Sequence, residues 1–459
     1  MKRTPLSLVA HWAGGELHGD DIAIDTVSND TRSLQPGSLY VALRGERFDG
    51  HDFVAQALER GASALLVDHE LNVESPQIVV ADTRLALAKI AAGLQQGRSG
   101  KVVAITGSNG KTSVKTLVVA ILQRAGNTFF NPGNRNNEIG LPLSVIDAPD
   151  DADFAVYEMG AGQPGDIAYL TDIARPDVAL VNNIAPAHLE RMGTLLGVAE
   201  TKGAIYAALP ADGVAVINAD EAFAGYFATL APGRKTIRFG LEASADVSAR
   251  DIRLDDAGSA FRIVTAQGEA DARIALPGRH NVSNALAAAS LALACGVSLP
   301  VIVEGLAAAQ PVAGRQVAHA LPGGAVLIDD SYNANPGSLA AAIDTLAAAG
   351  GEAWLVLGDM RELGAEAEAL HADAGRRARN AGIRRLYALG SLSAAAAQAF
   401  GDGARVFATH AELVDALRAD LFGTGSPVPK ILVKGSRGSA MDKVVNALLG
   451  REGDVPHVA

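Results

Sequence analysis

One recurring pattern restricts the fold of this chain more than any other. A strand-sized apolar run ends in a polar loop, and an alanine-rich helical stretch follows. The runs include SLYVAL (38–43), ALLVD (64–68), KVVAIT (101–106), DFAVYEMG (153–160), PDVALVNNIAP (176–186) and GVAVINAD (213–220). The pattern resumes in GAVLIDDSYNANP (324–336), WLVLGDMRELG (354–364), RRLYALG (384–390) and KILVKGSRG (430–438). Short continuous apolar runs suit strands buried on both faces, and the intervening helices supply the crossovers that parallel strands require. The expectation is therefore an α/β protein with largely parallel sheets. Open sheets of this kind bind ligands at the carboxyl ends of their strands, where the polar loops fall.

At 459 residues the chain is long enough for about three domains. Two junctions present themselves: GLQQGRSG at 93–100, polar and flanked by glycine, and PVAGR at 311–315. They divide the chain into units 1–99, 100–312 and 313–459. A more β-rich insert, near 235–275, interrupts the second. With 49% hydrophobic and 20% charged residues, each unit can bury a full core, which excludes general disorder. The net charge of −12 argues against coating nucleic acid or anionic membrane, while leaving room for a local anion site. Cys295 is the single cysteine and reads as a small buried side chain, not a nucleophile. No Cys/His cluster has zinc spacing. The apolar stretch after Lys2 and Arg3 runs from Leu6 to Ala10, too short for a signal peptide, and nothing approaches the ~20 residues of a membrane span. A soluble cytoplasmic protein with no membrane insertion and no nucleic-acid partner is expected.

The strand-end loops carry the chemistry. Gly107-Ser108-Asn109-Gly110-Lys111-Thr112-Ser113 follows a strand and opens the helical stretch Val114 to Leu122. Glycine-loop amides and a helix N-terminus favour phosphate, Lys111 offsets its charge, and Thr112 offers an oxygen to Mg²⁺. Ile105 stands where the longer G-x-x-x-x-G-K-[ST] pattern has its first glycine, so this is the shorter T-G-x-x-G-K-[ST] form. Glu158 lies at a strand end, a position suited to hard-cation chemistry, although such residues are often simply solvated. His188 and Lys202 alone read as ordinary loop and helix-face residues. Asn281 and Asn284 share a helix face and could meet a purine edge, or cap the helix. Arg315 follows a junction glycine. Asp330, Asn333 and Asn335 sit in a turn that Pro336 closes, with a helix expected from Ser338. Lys434 and Arg437 form a small basic nest, and Asn136 and Asn137 belong to a dense amide cluster.

In combination these motifs resemble the Mur ligase family, ATP-dependent amide-forming enzymes of peptidoglycan precursor synthesis. The resemblance rests on TGSNGKT (106–112), YEMGA around Glu158, His188 with Lys202 downstream, HNVSNALAA (280–288), GRQ (314–316) and DDSYNANP (329–336). Within the family, DTRSLQPGSLYVALRGERFDGHDF (30–53), GNRNNEIG, VLGDMRELG and KGSRGSAMD are similar to the branch that joins D-alanyl-D-alanine to UDP-N-acetylmuramoyl-tripeptide. The D-N-P-[RK] motif of the ligase adding the third amino acid is missing, which disfavours that alternative. Folylpolyglutamate synthase and a nucleotide-binding regulatory protein with weak ATPase activity remain as rivals.

The resemblance implies a UDP-muramoyl-binding first domain, a central P-loop ATPase-type domain and a C-terminal Rossmann-like domain that takes the dipeptide and part of the nucleotide. It implies that residues 107–113 hold the ATP phosphates, with Lys111, Glu158, His188 and Lys202 catalytic. Thr112 and Glu158 would hold one Mg²⁺, and His188 with a carbamylated Lys202 a second. Asn281, Asn284, Arg315, Asp330 and Asn333 would contact ATP. Asp30, Arg32, Arg47, Phe48, Asn136, Asn137, Lys434 and Arg437 would contact the other substrates. A monomer is expected.

Overall fold

The computed structural model describes residues 1–45, 48–422 and 428–451. The central unit is built on a six-stranded sheet ordered Lys235–Phe239, Val214–Asn218, Val178–Val181, Lys101–Thr106, Phe154–Glu158, Thr128–Phe130. Every neighbouring pair in it is parallel. Helices Lys111–Leu122 and Arg279–Ala294 cover one face with a core of valine, leucine and alanine. The β-rich insert resolves into two parts. Lys235–Phe239 is the edge of the central sheet, and Ser248–Asp255, Gly258–Thr265 and Gly268–Ile274 form a separate antiparallel sheet.

The third unit carries a six-stranded sheet ordered Val317–Ala320, Val326–Asp330, Lys430–Lys434, Ala353–Gly358, Arg385–Leu389, Ala404–Phe407. Its first pair is antiparallel and the rest are parallel. Its helix begins at Pro336, two residues before the expected Ser338. Asn335 caps that helix reciprocally with Ser338, and proline at the first helical position loses nothing, because its missing N–H would have no partner there.

The first unit holds a five-stranded sheet in which Glu16–His18 runs antiparallel to Gln77–Val79 and the other pairs are parallel. Its junction with the second differs from the sequence reading. The helix Thr83–Gln96, started by the Asp82 carboxylate on the amides of Arg84 and Leu85, takes the first half of GLQQGRSG. Leu87, Ile90 and Leu94 of this helix share one core with Leu141, Leu143, Ile167 and Leu170 of the central unit. A polar, glycine-flanked string hid a helix end whose apolar face was still needed to join two units. No helix among the described residues is long and apolar enough to cross a membrane.

Candidate active site

The carboxyl ends of the central strands and the facing edge of the third unit enclose a cavity of about 700 Å³, within the range of ligand sites. The strand Lys101–Thr106 feeds the glycine loop directly. Gly110 takes φ +76°, and a Cβ there would lie 2.6 Å from both the Asn182 and the Asn284 side chains, so glycine is required twice over. The helix starts at Lys111, and its first backbone bond runs from Val114 N–H to Gly110 O. The amides of Lys111, Thr112 and Ser113 are therefore first-turn donors without helical partners, the arrangement that favours an anion. The remainder of the loop is more committed than expected. Ser108 N–H donates to Asn183 O, and Asn109 N–H donates to Asn183 Oδ1 at 2.8 Å.

Thr112 and Glu158 meet. The Thr112 hydroxyl donates to Glu158 Oε2 at 2.8 Å, and the two together offer hard oxygen donors at the cavity wall. Glu158 is 3% exposed. Burial alone would raise its carboxyl, but Lys115, Lys111, Arg315 and the Thr112 hydroxyl hold it below the usual carboxylate value. That favours the ionised carboxylate, the form able to hold a cation. Lys111 donates from Nζ to Gly107 O at 2.8 Å, and burial lowers its pKa.

His188 lines the same cavity at φ +53°, the left-handed cap of a one-turn helix. Its Nδ1 lies 2.5 Å from Glu362 Oε2, a contact from the third unit, and Glu362 is also left-handed at φ +61°. Burial lowers the imidazole pKa against the pull of Glu362. Lys202 is 1% exposed in the helix Leu195–Ala207. Burial, reinforced by Lys111 and opposed by Asp166, brings its ammonium down to about 7.

The asparagines are linked to one another. Asn284 donates to Asn281 Oδ1 and accepts from Asn182, while Asn335 of the third unit donates to Asn109 Oδ1 at 2.7 Å. Arg315 lies 4.3 Å above the Tyr332 ring and lines the cavity with Asp330, Asn333, Asn136 and Asn137. Asn136 is turned to Glu158: its amide donates to Oε1 at 2.9 Å. Lys434 is buried in an ion pair with Asp330 at 2.6 Å, so its charge is met within the protein. Arg437 pairs with Asp442 outside the cavity. Asp30 and Arg32 bind each other at 2.7 Å in the first unit, and neither they nor exposed Phe48 line this cavity. Arg47 lies outside the described residues. Burial pushes the Cys295 thiol up to about 12, away from the thiolate that a nucleophile needs.

Sequence reasoning assigned no role to Lys115, Asn131, Asn182, Asn183, Asn335 or Glu362. Each lay in or beside a quoted loop, but polar residues at strand ends carry no mark that separates a ligand contact from a loop tether. A zinc-type spacing search also passed over His51, Asp68 and His69, which come together in the first unit. These three are occupied internally, His51 by Asp49 and the Asp68 amide, His69 by Asp68, and Asp68 also by Arg44.

Known proteins match nearly the whole length of this chain. The Mur ligase middle domain matches residues 105–292, the Mur ligase glutamate ligase domain 314–437, and the Mur ligase family catalytic domain 23–95. UDP-N-acetylmuramoyl-tripeptide–D-alanyl-D-alanine ligase of Escherichia coli (strain K12) is 46% identical over 449 residues, covering 98% of this chain and 99% of its own. A crystal structure of MurF from Acinetobacter baumannii superposes with a TM-score of 0.93 at 34% identity, over 98% of this chain and 100% of that one. MurF ligase from Thermotoga maritima in complex with ADP superposes with a TM-score of 0.83 at 27% identity, over 93% and 97%. With matches spanning all three units and a glycine loop, strand-end carboxylate and interdomain cavity in order, this chain belongs to the Mur ligase family.

Proposed function

We propose that this chain is an ATP-dependent ligase that joins D-alanyl-D-alanine to UDP-N-acetylmuramoyl-tripeptide, giving the pentapeptide, ADP and phosphate. The observation that carries the reading is the pairing of Thr112 with ionised Glu158 beside the first-turn amides, within a cavity that the third unit closes. The full-length similarity to a ligase of that name supplies the substrates. A carboxylate is a poor electrophile. An oxygen of the tripeptide carboxylate attacks the γ-phosphorus, the bond to the β-phosphate oxygen breaks, and ADP leaves an acyl phosphate on the peptide. The neutral amine of D-alanyl-D-alanine then attacks that carbonyl carbon, phosphate departs, and the amine gives up a proton.

Residues 107–113 position the phosphates, and Lys111 offsets charge as the phosphoryl group moves. Thr112 and Glu158 fit a magnesium ion by donor chemistry, which when bound neutralises phosphate charge. Lys202 as an ammonium does not suit a second cation. Carbamylation would replace that charge with anionic oxygens, and a buried lysine with a lowered pKa keeps the neutral amine this needs. Carbon-13 bicarbonate labelling read by NMR tests that modification. Asn281, Asn284, Arg315, Asp330 and Asn333 form the nucleotide wall, and Asn137 faces the acceptor side. Asp30, Arg32, Arg47 and Phe48 serve the UDP moiety in the first unit, and Arg437 the dipeptide side. Docking of the third unit on the glycine loop excludes water that would hydrolyse the acyl phosphate. The chain acts as a monomer.

Phosphate release, with mass detection of product across a panel of UDP-muramoyl peptides and amines, tests the reading. Lack of stimulation by D-alanyl-D-alanine with the tripeptide substrate refutes it.

A further inference from the structure

A buried cation with no part in the chemistry above sits one helical turn beyond Lys111. Lys115 is 5% exposed in the helix Lys111–Leu122, beside buried Val114, Val118 and Val119. A lysine is costly there, and an apolar side chain would fill the space without the desolvation penalty. Its ammonium has three donors, and three acceptors from two separate segments surround it. Asn131 O lies at 3.0 Å, Gly133 O at 3.3 Å and Glu158 Oε2 at 3.4 Å.

The segment it reaches is wrapped around Glu158 by further bonds. Asn131 Oδ1 accepts from the Glu158 backbone amide, and Asn131 Nδ2 donates to Glu158 O. Asn136 donates from its side chain to Glu158 Oε1 and accepts from Gly160 N–H at its backbone oxygen. Both carboxylate oxygens of Glu158 are thus held from defined directions, Oε2 by Thr112 and Lys115 and Oε1 by Asn136. The next residue along, Asn137, lines the cavity.

We propose that Lys115 is a positioning residue that ties the loop of residues 131–137 to Glu158, so that the cation-side carboxylate and the acceptor-side loop keep one fixed relation. For its catalytic consequence the inference rests on the ligase reading. The tether itself rests on geometry alone. A residue acting in this way changes the alignment of acceptor and phosphoryl group more than the binding of either substrate.

The test is hydrogen exchange, followed by mass spectrometry, on the full chain without ligands, comparing the parent with Lys115→Met. Exchange in 131–137 is expected to rise roughly tenfold, with 101–106 and 111–122 unchanged. In turnover assays kcat falls on the order of 10²-fold with the ATP KM held within about twofold. The double variant Lys115→Met/Asn136→Ala loses far less than the product of the two single effects, because both grip the same carboxylate. Should Lys115→Met fail to fold, Lys115→Arg serves instead: it keeps the charge, but its planar group does not match all three acceptors, so exchange again rises in 131–137. Exchange in 131–137 within about twofold of the parent overturns the proposal. Loss of protection spread evenly over the central sheet, the mark of a merely structural lysine, overturns it too. A parent without ligase activity would sink the proposed function and leave the exchange comparison standing.

Discussion

Replacing Lys434 by methionine removes one half of a pair whose position follows directly from strand register. Asp330 and Lys434 are register partners at the carboxyl ends of adjacent parallel strands. Both are buried, their charged groups 2.6 Å apart, and Lys434 also donates to Asn333 O at 3.0 Å. Breaking a buried pair from one side costs about 3–5 kcal/mol, because the other charge is left without compensation. For a unit the size of the third, each kcal/mol lowers its melting temperature by roughly 2–4 °C, so a fall of roughly 6–20 °C is expected.

The loss has a pH signature. Burial already holds the Asp330 carboxyl above the usual carboxylate value against the pull of Lys434, and without Lys434 it rises further. A carboxyl whose pKa is raised on folding binds more protons in the folded state, so its contribution falls as pH rises from its unfolded value through the folded one. Calorimetry should therefore find Lys434→Met much less stable than the parent at pH 8 and the gap narrowed toward pH 4. The double variant Asp330→Asn/Lys434→Met removes both charges and should recover most of the loss. A pH-independent change of under about 1 kcal/mol in Lys434→Met, or a double variant no better than the single, refutes the reasoning. Lys434 would then be a free cation facing an anionic substrate, as its basic nest implied.

Lys202→Met removes a buried ammonium whose pKa is held at about 7. The unfolded chain binds that proton more tightly, so the penalty is fully present below pH 7 and is relieved as pH rises toward 10. In bicarbonate-free buffer the variant should melt above the parent at pH 6, with the gap closing by pH 10, and ligase turnover should be lost. A lower melting point at pH 6 would contradict this. A Cβ on Gly337 would lie 3.1 Å from Ala185 Cβ and 3.3 Å from Asn109 Nδ2. The larger Gly337→Val should push the third unit off the glycine loop, seen as a larger radius of gyration in scattering and a lower kcat at unchanged fold, whereas unaltered scattering would argue against that contact. Glu362→Ala should cost under about 1 kcal/mol in thermal stability, because its own side chain, in the pair with His188, is more than half exposed.

The fold was legible wherever the local signal and the tertiary demand agreed. KVVAIT is a strand over the very residues expected, and GSNGKT turns where its glycine must. The first half of GLQQGRSG is helix, not linker, because composition cannot report that Leu87, Ile90 and Leu94 point into a core supplied by another unit. The site divides along the same line. Lys111, Thr112 and Glu158 were recoverable because backbone geometry alone places a helix start opposite a neighbouring strand end. Asn136 and Lys434 both line the cavity, but their carboxylate partners were not legible, for a different reason. An exposed polar loop residue and a buried tether have the same sequence appearance, and the difference lies in which partner the fold brings within about 3 Å. Asn136 met Glu158, and Lys434 met Asp330. The acidic net charge belongs to the same argument. An acidic protein can bind anionic nucleotides because the charges that matter are allotted one by one. Lys115 and Lys434 are committed to carboxylates, Lys434 at the cavity wall itself, while Lys111 and Arg315 line the same cavity beside amides that add attraction without adding net charge.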